Sequence, residues 1–174
     1  SQLYVANVED GSVSVIDTQD LTEVARIPVG AAPVQVGFTP SGDQVYVSLR
    51  DENRVAVIDT ASREVTNRID VGPNPIQMVA TPDGAYVYVA NQGTDAEPNN
   101  TVSVIDTATG QVVKTLTTGG GAHGVSVSPD GAFVFVTNIA DDTVSIIDVG
   151  SQDVVKTLPV GDRPNGIVYG GAAR

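Results

Sequence analysis

Tyr88-Val89-Ala90-Asn91, together with Val102-Ser103-Val104-Ile105-Asp106, is the stretch that decides the fold, because each half of it occurs four times. The first half recurs as Tyr4-Val5-Ala6-Asn7, Tyr46-Val47-Ser48-Leu49 and Phe135-Val136-Thr137-Asn138. The second recurs as Val13-Ser14-Val15-Ile16-Asp17, Val55-Ala56-Val57-Ile58-Asp59 and Val144-Ser145-Ile146-Ile147-Asp148. The starting positions 4, 46, 88 and 135 differ by 42, 42 and 47. A repeat of this length predicts four structural units in the chain of 174 residues.

Each unit contains four short runs of β-branched and aromatic residues, separated by Gly, Pro, Asn or Asp. In one unit these runs are Ile76 to Ala80, Tyr86 to Ala90, Val102 to Ile105 and Val112 to Leu116. No run has helical periodicity, so the pattern predicts strands joined by turns. Four strands in about 40 to 50 residues are typical of a propeller blade. The predicted fold class is therefore all-β, a β-propeller with four four-stranded blades per chain.

The sequence motifs of the repeats resemble those of a known family, the YVTN β-propeller repeats of archaeal and bacterial surface and secreted proteins. The resemblance is carried by the Tyr-Val-Ala-Asn tetrads, the Val-Ser-Val-Ile-Asp strand and the turn Ser128-Pro129-Asp130-Gly131, and it covers essentially the whole chain. It implies a propeller in an extracellular, cell-surface or periplasmic location. Because propellers host unrelated activities, it implies no particular chemistry.

The order of the strands predicts how the blades are completed. With strands named a to d outward from the axis, the chain begins on a b strand at Leu3 and ends on an a strand at Gly166 to Tyr169. We therefore expect the last strand to complete the first blade, giving one propeller domain over 1–174 with blades at 1–30 plus 163–170, 31–72, 73–119 and 120–162. A four-bladed ring, two chains in an eight-bladed ring and part of a longer propeller all satisfy this count. The two-chain ring, a homodimer, is favoured because an open arc exposes apolar blade faces.

The composition excludes several classes of partner. Nine basic and 21 acidic residues give a formal charge of -12, which repels phosphate backbones and argues against nucleic acid. No apolar run approaches the roughly 20 residues that span a bilayer, so no membrane insertion is expected. There is no cysteine for a disulfide or a thiolate metal site.

Residues present in every repeat are assigned to architecture. Asp17, Asp59, Asp106 and Asp148 each stand where a strand runs into a turn, and such aspartates accept local backbone N–H bonds. Asp83-Gly84 and Asp130-Gly131 are turn residues by the same reasoning. These carboxylates are predicted to be structural, and not catalytic.

Positions at which the repeats differ are the candidates for function. One equivalent slot on the a strands holds Val34, Ile76, His123 and Asn165, and the next holds Gln35, Gln77, Gly124 and Gly166. Because a strands line the central channel of a propeller, we expect the only histidine, His123, near the channel mouth. The predicted ligand-binding residues in these slots are His123, Asn165, Gln35 and Gln77. One histidine alone does not predict a metal site.

An insertion between Asn91 and Thr101 accounts for the longer third repeat. Its polar residues Asp95, Glu97, Asn99 and Asn100 lie in a b-to-c turn on the same face as His123 and complete the set of predicted ligand-binding residues. The other b-to-c turns carry Glu9-Asp10, Asp51-Glu52 and Asp141-Asp142, so this face is expected to be acidic. No cofactor is predicted, with calcium on this acidic face as the one exception left open.

No catalytic motif stands out in the sequence. It contains no Gly-x-Ser-x-Gly elbow, no phosphate-binding loop and no His-Glu-x-x-His pair. The interpretation is therefore a non-enzymatic binding or structural scaffold that recognises a protein, glycan or small molecule on the channel-mouth face. The alternative is a lyase-like or lactonase-like propeller enzyme with His123 as general base.

Overall fold

The computed structural model describes residues 1–170 and shows an all-β chain of four antiparallel sheets, as predicted. Blade 1 contains β1 (Gln2–Asn7), β2 (Ser12–Asp17) and β3 (Thr22–Pro28). Blade 2 contains β4 (Pro33–Phe38), β5 (Gln44–Leu49), one turn of 3-10 helix (Arg50–Glu52), β6 (Arg54–Asp59) and β7 (Glu64–Asp70). Blade 3 contains β8 (Pro75–Ala80), β9 (Tyr86–Gly93), β10 (Pro98–Asp106) and β11 (Gln111–Thr117). Blade 4 contains β12 (Ala122–Val127), β13 (Phe133–Asn138), β14 (Thr143–Asp148) and β15 (Asp153–Pro159). Over this described part, no helix has the length and apolar character needed to cross a membrane.

Each four-stranded blade is a meander in which neighbouring strands follow one another in sequence. Turn chemistry sets the hairpins between the a and b strands. In blade 3, Gly84 adopts a φ of 73° and donates its N–H to the carbonyl of Thr81, 2.8 Å away, while the Thr81 hydroxyl donates to Asp83. Glycine takes this left-handed conformation without the penalty that a side chain incurs. The equivalent Gly131 of blade 4 has the same φ.

The hydrophobic core lies between adjacent blades. Tyr4, Val13 and Val15 of blade 1 pack on Val47 and Ile58 of blade 2, all less than 5% exposed. Equivalent clusters fill the spaces between blades 2 and 3 and between blades 3 and 4. Each buried Val or Ile contributes roughly 1.5 to 3 kcal/mol by leaving water. Because each internal blade is covered on both faces, its b and c strands are almost continuously apolar.

The four blades form an open arc in the single chain. Among the described residues, no hydrogen bond, ion pair or buried cluster joins 120–170 to 1–30. Within the single chain, Gly166 to Tyr169 do not pair with the first blade: blade 1 has three strands, and 164–170 form no strand. This segment lies beside β12, where the Tyr169 N–H donates to the Ser126 hydroxyl at 3.1 Å. The physical reason is distance, since β1 is at the opposite end of the arc.

Candidate functional site

The a-strand slots that vary between repeats coincide with a β-bulge in each of β4, β8 and β12. In blade 2 the register shifts between Pro33 and Val36, so that Val34 and Gln35 together oppose Ser48. The same shift places Ile76-Gln77 opposite Ala90 in blade 3, and His123-Gly124 opposite Thr137 in blade 4. A bulge turns side chains away from the regular pleat and is common beside functional sites. The side chains at the variable positions therefore depart from the regular alternation of the sheet.

The bulge of blade 4 holds the imidazole of His123 in a fixed orientation. Its Nδ1 lies 2.8 Å from the backbone carbonyl oxygen of Asn165. A carbonyl only accepts hydrogen bonds, so Nδ1 carries the proton in this contact and the neutral ring has its lone pair on Nε2. On the other side of the bulge, the Gly124 N–H donates to the Thr137 hydroxyl at 2.7 Å. The imidazole is therefore held by backbone on a rigid strand, with Nε2 left to accept a hydrogen bond or bind a metal centre.

Two of the predicted binding residues, His123 and Asn165, are brought together by the structure. Asn165 contributes its backbone carbonyl to this contact, whereas the sequence suggested its side chain. Gln35 has a different role, because its Oε1 accepts the N–H of Met78 and thereby ties β4 to β8. The half-buried Gln77 side chain makes no hydrogen bond within 1–170, so its amide remains open to a ligand.

The insertion of blade 3 is an extension of the β9–β10 hairpin. Pro98 pairs with Gly93, and the Thr94 N–H donates to the carbonyl of Glu97 at 3.0 Å. Asn99 is used inside the hairpin, since its Oδ1 accepts both the N–H and the hydroxyl of Thr101. The predicted polar loop is thus an ordered strand extension.

The base of this extension is hydrogen-bonded to neighbouring segments, whereas its tip is exposed to solvent. The backbone carbonyls of Asn99 and Asn100 accept N–H bonds from Gly121 and Thr118, respectively, which anchors the base of the extension. Asp95 and Glu97 remain exposed at its tip. Of these two, Glu97 makes no side-chain hydrogen bond within 1–170, whereas the carboxylate of Asp95 contacts Arg163.

The hairpin tip is connected to the His123 slot through the segment that follows β15. Arg163 places its guanidinium 3.4 Å from the carboxylate of Asp95, and the Arg163 N–H donates to Asp142 at 2.7 Å. Asn165, two residues later, is the residue that holds His123. The two irregular features of the sequence therefore lie on one face and share one supporting segment.

The acidic b-to-c turns are partly committed to backbone contacts. Asp141 accepts the N–H of Gly120 at 2.7 Å, and Glu52 accepts the N–H of Ala31 at 2.5 Å. An open cleft of about 550 Å³ lies between the turns of blades 1 and 2 and is lined by Glu9, Asp10 and Arg50 among others. Within 1–170, no group of three or more His, Asp or Glu side chains converges as a metal site.

The aspartates present in every repeat are turn residues in the structure. Backbone N–H bonds from Gln19 and Asp20 lower the pKa of Asp17. The N–H and hydroxyl of Ser62, Thr109 and Ser151 in the same way lower the pKa values of Asp59, Asp106 and Asp148. Each carboxylate is held ionised by its own turn, as a structural group is.

The structure also reveals partners that the sequence interpretation missed. The third residue of the tetrad, Ser48 in blade 2 and Thr137 in blade 4, supplies the hydroxyl that accepts the bulge N–H. The fourth residue, Asn91 or Asn138, is fully buried and donates its side-chain amide to two hydroxyls on the neighbouring c strand. The signal was in the sequence, because Ser or Thr recurs at these strand positions wherever Asn ends the tetrad.

Comparison with known proteins gives matches over both halves of the chain. The family described as Cytochrome D1 heme domain matches residues 1–92, and the family described as YNCE-like beta-propeller matches residues 76–173. Hydrazine synthase of Kuenenia stuttgartiensis is similar in structure, with 28% sequence identity and a TM-score of 0.85 over 90% of this chain. The chain covers 45% of that protein's chain, which is less than half its length. No curated protein matches the sequence.

The match to a heme domain corrects the prediction that no cofactor is involved. Heme iron is held by His, Cys, Met or Tyr side chains. The matched stretch 1–92 contains no histidine and no cysteine, and its Met78 is only 4% exposed, inside the cluster between blades 2 and 3. Its tyrosines Tyr4, Tyr46 and Tyr88 are buried as well, and Tyr86 packs partly buried against the cluster between blades 3 and 4. Outside that stretch, His123 fits, because its Nδ1–H is held by a carbonyl, as the second ring nitrogen of a metal-binding histidine usually is. Of the histidine, cysteine and methionine side chains within 1–170, His123 is therefore the one available to hold an iron.

Proposed function

Because the chain belongs to the YNCE-like β-propeller family, we propose that it is a binding scaffold whose channel-mouth face recognises a protein, glycan or small molecule. The single observation that carries this proposal is the orientation of His123, whose Nδ1 is held 2.8 Å from the Asn165 carbonyl while Nε2 is left free for a ligand. Rigid blades beneath a few adaptable polar groups are typical of a recognition surface. The location we propose is the cell surface, the periplasm or the extracellular space, which the resemblance to YVTN repeats supports.

The contacts of His123 favour binding over catalysis. A general base of the triad type is usually backed by a carboxylate that stabilises the imidazolium. In the described residues, the ring is instead held by a neutral backbone carbonyl. No carboxylate forms a hydrogen bond to His123 over 1–170. The geometry therefore provides a lone-pair donor of fixed orientation without the partner that repeated proton transfer needs.

The experiment distinguishes ligand binding at the His123 bulge from ligand binding at the hairpin tip. The whole chain is screened against glycan and peptide arrays, and every hit is measured again with His123→Ala and with the double variant Asp95→Ala, Glu97→Ala. We expect at least one hit whose affinity falls tenfold or more in one of these variants, with unchanged circular dichroism in both. Retention of every hit by both variants would place recognition elsewhere and overturn the proposal.

A heme is the second candidate ligand, and the match of residues 1–92 to the Cytochrome D1 heme domain family favours it. His123 would hold the iron through Nε2, and the bound heme would supply a redox-active iron centre. Titration with hemin is expected to give a Soret band that shifts on binding, and His123→Ala is expected to remove the shift. Asp162→Ala, at an exposed residue of the link after β15, is the matched control and should leave the shift in place. A spectrum identical to free hemin would exclude this candidate.

A further inference from the structure

The interface between blades 2 and 3 contains a cavity of about 190 Å³. Its walls come from both blades and are largely apolar, and they include Gly37, Tyr46, Met78, Ala80 and Val87. Within 1–170, no charged side chain lines this cavity. It lies where the a strands β4 and β8 end, whereas the bulges lie where these strands begin. The cavity is therefore separate from the face that carries His123.

The cavity is present because two small residues meet where the next interface has two valines. In the repeat, Gly37 is equivalent to Val79, and Ala80 is equivalent to Val127. Val79 and Val127 both pack against the core cluster between blades 3 and 4. Ala80 packs against the corresponding cluster between blades 2 and 3, to which Gly37 contributes no side chain. The interface between blades 2 and 3 thus lacks side-chain volume that its neighbour has.

The backbone does not require the glycine at this position. Gly37 lies inside β4 in regular register with Tyr46, and its φ is not positive. A Cβ added to it would meet no atom of the described chain within 4 Å. Glycine inside a strand weakens it, and usually marks a bulge, a bend, or close approach of another backbone or a ligand. With a regular register and no backbone nearby, the ligand is the explanation that remains for Gly37.

We propose that this cavity binds a small, uncharged, apolar molecule of the size of one aromatic ring. An apolar cavity of about 150 Å³ stays dry and binds benzene, so the volume between blades 2 and 3 is sufficient. The Tyr46 ring and the Met78 thioether, both less than 5% exposed, provide aromatic and polarizable surfaces for such a ligand. Gly37 and Ala80 are half-buried, which gives the cavity a path to solvent. The proposal is independent of the ligand proposed for His123.

A single methionine provides a direct reporter of binding. Met78 is the only methionine in the sequence, and its buried side chain lines the cavity. With a ¹³C-labelled methionine methyl group, the whole chain gives one methionine methyl signal by NMR. Titration with benzene should shift this signal until it saturates, because a ring in the cavity changes the local magnetic field. Benzoate should give no shift, since no cation among the described residues lines the cavity to offset burial of its charge.

Filling the cavity tests where the ligand binds. Gly37→Val introduces the side chain that blade 3 has at the equivalent position, and it should weaken benzene binding at least tenfold. The same change should raise the thermal midpoint of the protein without benzene by about 2 to 4 °C. Gly37→Ala adds one methyl group and should weaken binding about threefold. The matched control is Gly150→Val in the turn between β14 and β15, where a Cβ would lie 3.5 Å from Asp148, and it should leave binding unchanged.

The outcomes that contradict the proposal are distinct. An unchanged Met78 signal in water saturated with benzene would overturn it. A shift of equal affinity in Gly37→Val would place benzene outside the cavity and overturn it as well. Should Gly37→Val fail to fold, Gly37→Ala carries the test, and undiminished affinity of the folded Gly37→Ala protein would overturn the proposal.

Discussion

The backbone carbonyl of Asn165 lies 2.8 Å from Nδ1 of His123, so a residue near the end of the described chain sets the orientation of its only histidine. The contact spans one complete repeat of 42 residues. It joins the fourth blade to the segment that follows it. The position of that segment therefore affects the tautomer and orientation of the His123 imidazole.

The tautomer of His123 is directly measurable, because a chain with one histidine gives one set of ring nitrogen signals after labelling with ¹⁵N-histidine. At a pH where the ring is neutral, we expect the Nδ1–H form, since Asn165 can only accept. Replacing Asn165 does not remove a backbone carbonyl, so a truncation after Asp162 is the appropriate perturbation, and it should return the ring to the Nε2–H form that usually dominates in free histidine. Nε2–H signals in the full chain would contradict the hydrogen bond.

Acid should weaken the folded state through the turn aspartates. Hydrogen bonds from turn N–H groups lower the folded-state pKa values of Asp106 and Asp148, so their contribution is fully present above the unfolded pKa of about 3.9 and is lost as the pH falls through the folded values. The thermal midpoint is therefore expected to fall steeply below about pH 4. Asp106→Asn with Asp148→Asn keeps the acceptor oxygen and removes the titration, so it should flatten this profile. Asp162→Asn serves as the control and should leave the profile unchanged.

The hydroxyl of Tyr88 is expected to cost stability. It is buried without a hydrogen-bond partner among the described residues, and burial raises the pKa of this phenol to about 12. Tyr88→Phe removes the unpaired group and should raise the free energy of unfolding by about 1 kcal/mol in denaturant titrations. The matched change Tyr46→Phe removes a hydroxyl that donates to Gln44 and should bring no gain. A loss of stability in Tyr88→Phe would show that a buried water or another group satisfies the hydroxyl.

The tetrad asparagine and the hydroxyls beside it should behave as one unit. Asn138 donates to Thr143 and Ser145, whereas blade 2 has Leu49 in the same position and Ala56 in place of the inner hydroxyl. Asn138→Leu alone leaves the buried Ser145 hydroxyl without its amide partner and should lower the free energy of unfolding by about 1 to 3 kcal/mol. Adding Ser145→Ala copies the arrangement of blade 2 and should recover about 1 kcal/mol of that loss. Simple additivity of the two changes would contradict this coupling.

Much of the fold could be predicted from the sequence because propeller blades are built from local hairpins. The tetrads mark the b strands and the Val-x-Val-Ile-Asp runs mark the c strands, and each turn is fixed by nearby residues such as Asp83 and Gly84. A strand paired with its neighbour in the chain needs no long-range information. This is why the number of blades and the structural role of the repeated aspartates followed from spacing and residue type.

The placement of 164–170 could not be predicted in this way, because it depends on the curvature accumulated over three blade interfaces. Small rotations between blades decide whether the chain's two ends meet, and no residue pattern records their sum. The roles of Gln35 and Asn99 were likewise hidden, since each is satisfied by a backbone group whose position only the folded chain provides. The clustering of His123 with Asn165 was predicted as a shared face, while the use of the Asn165 carbonyl was not.

The bulge in every a strand has a consequence for how such proteins change over evolutionary time. Because the two bulged residues oppose a single residue of the b strand, one slot tolerates Val34, Ile76 and His123 in turn while the ladder on either side keeps its register. A gene that gains blades by duplication therefore gains, with each copy, one position where a single base change can alter the bulged side chain without unfolding the sheet. One blade can acquire a new functional side chain while the other blades maintain the fold.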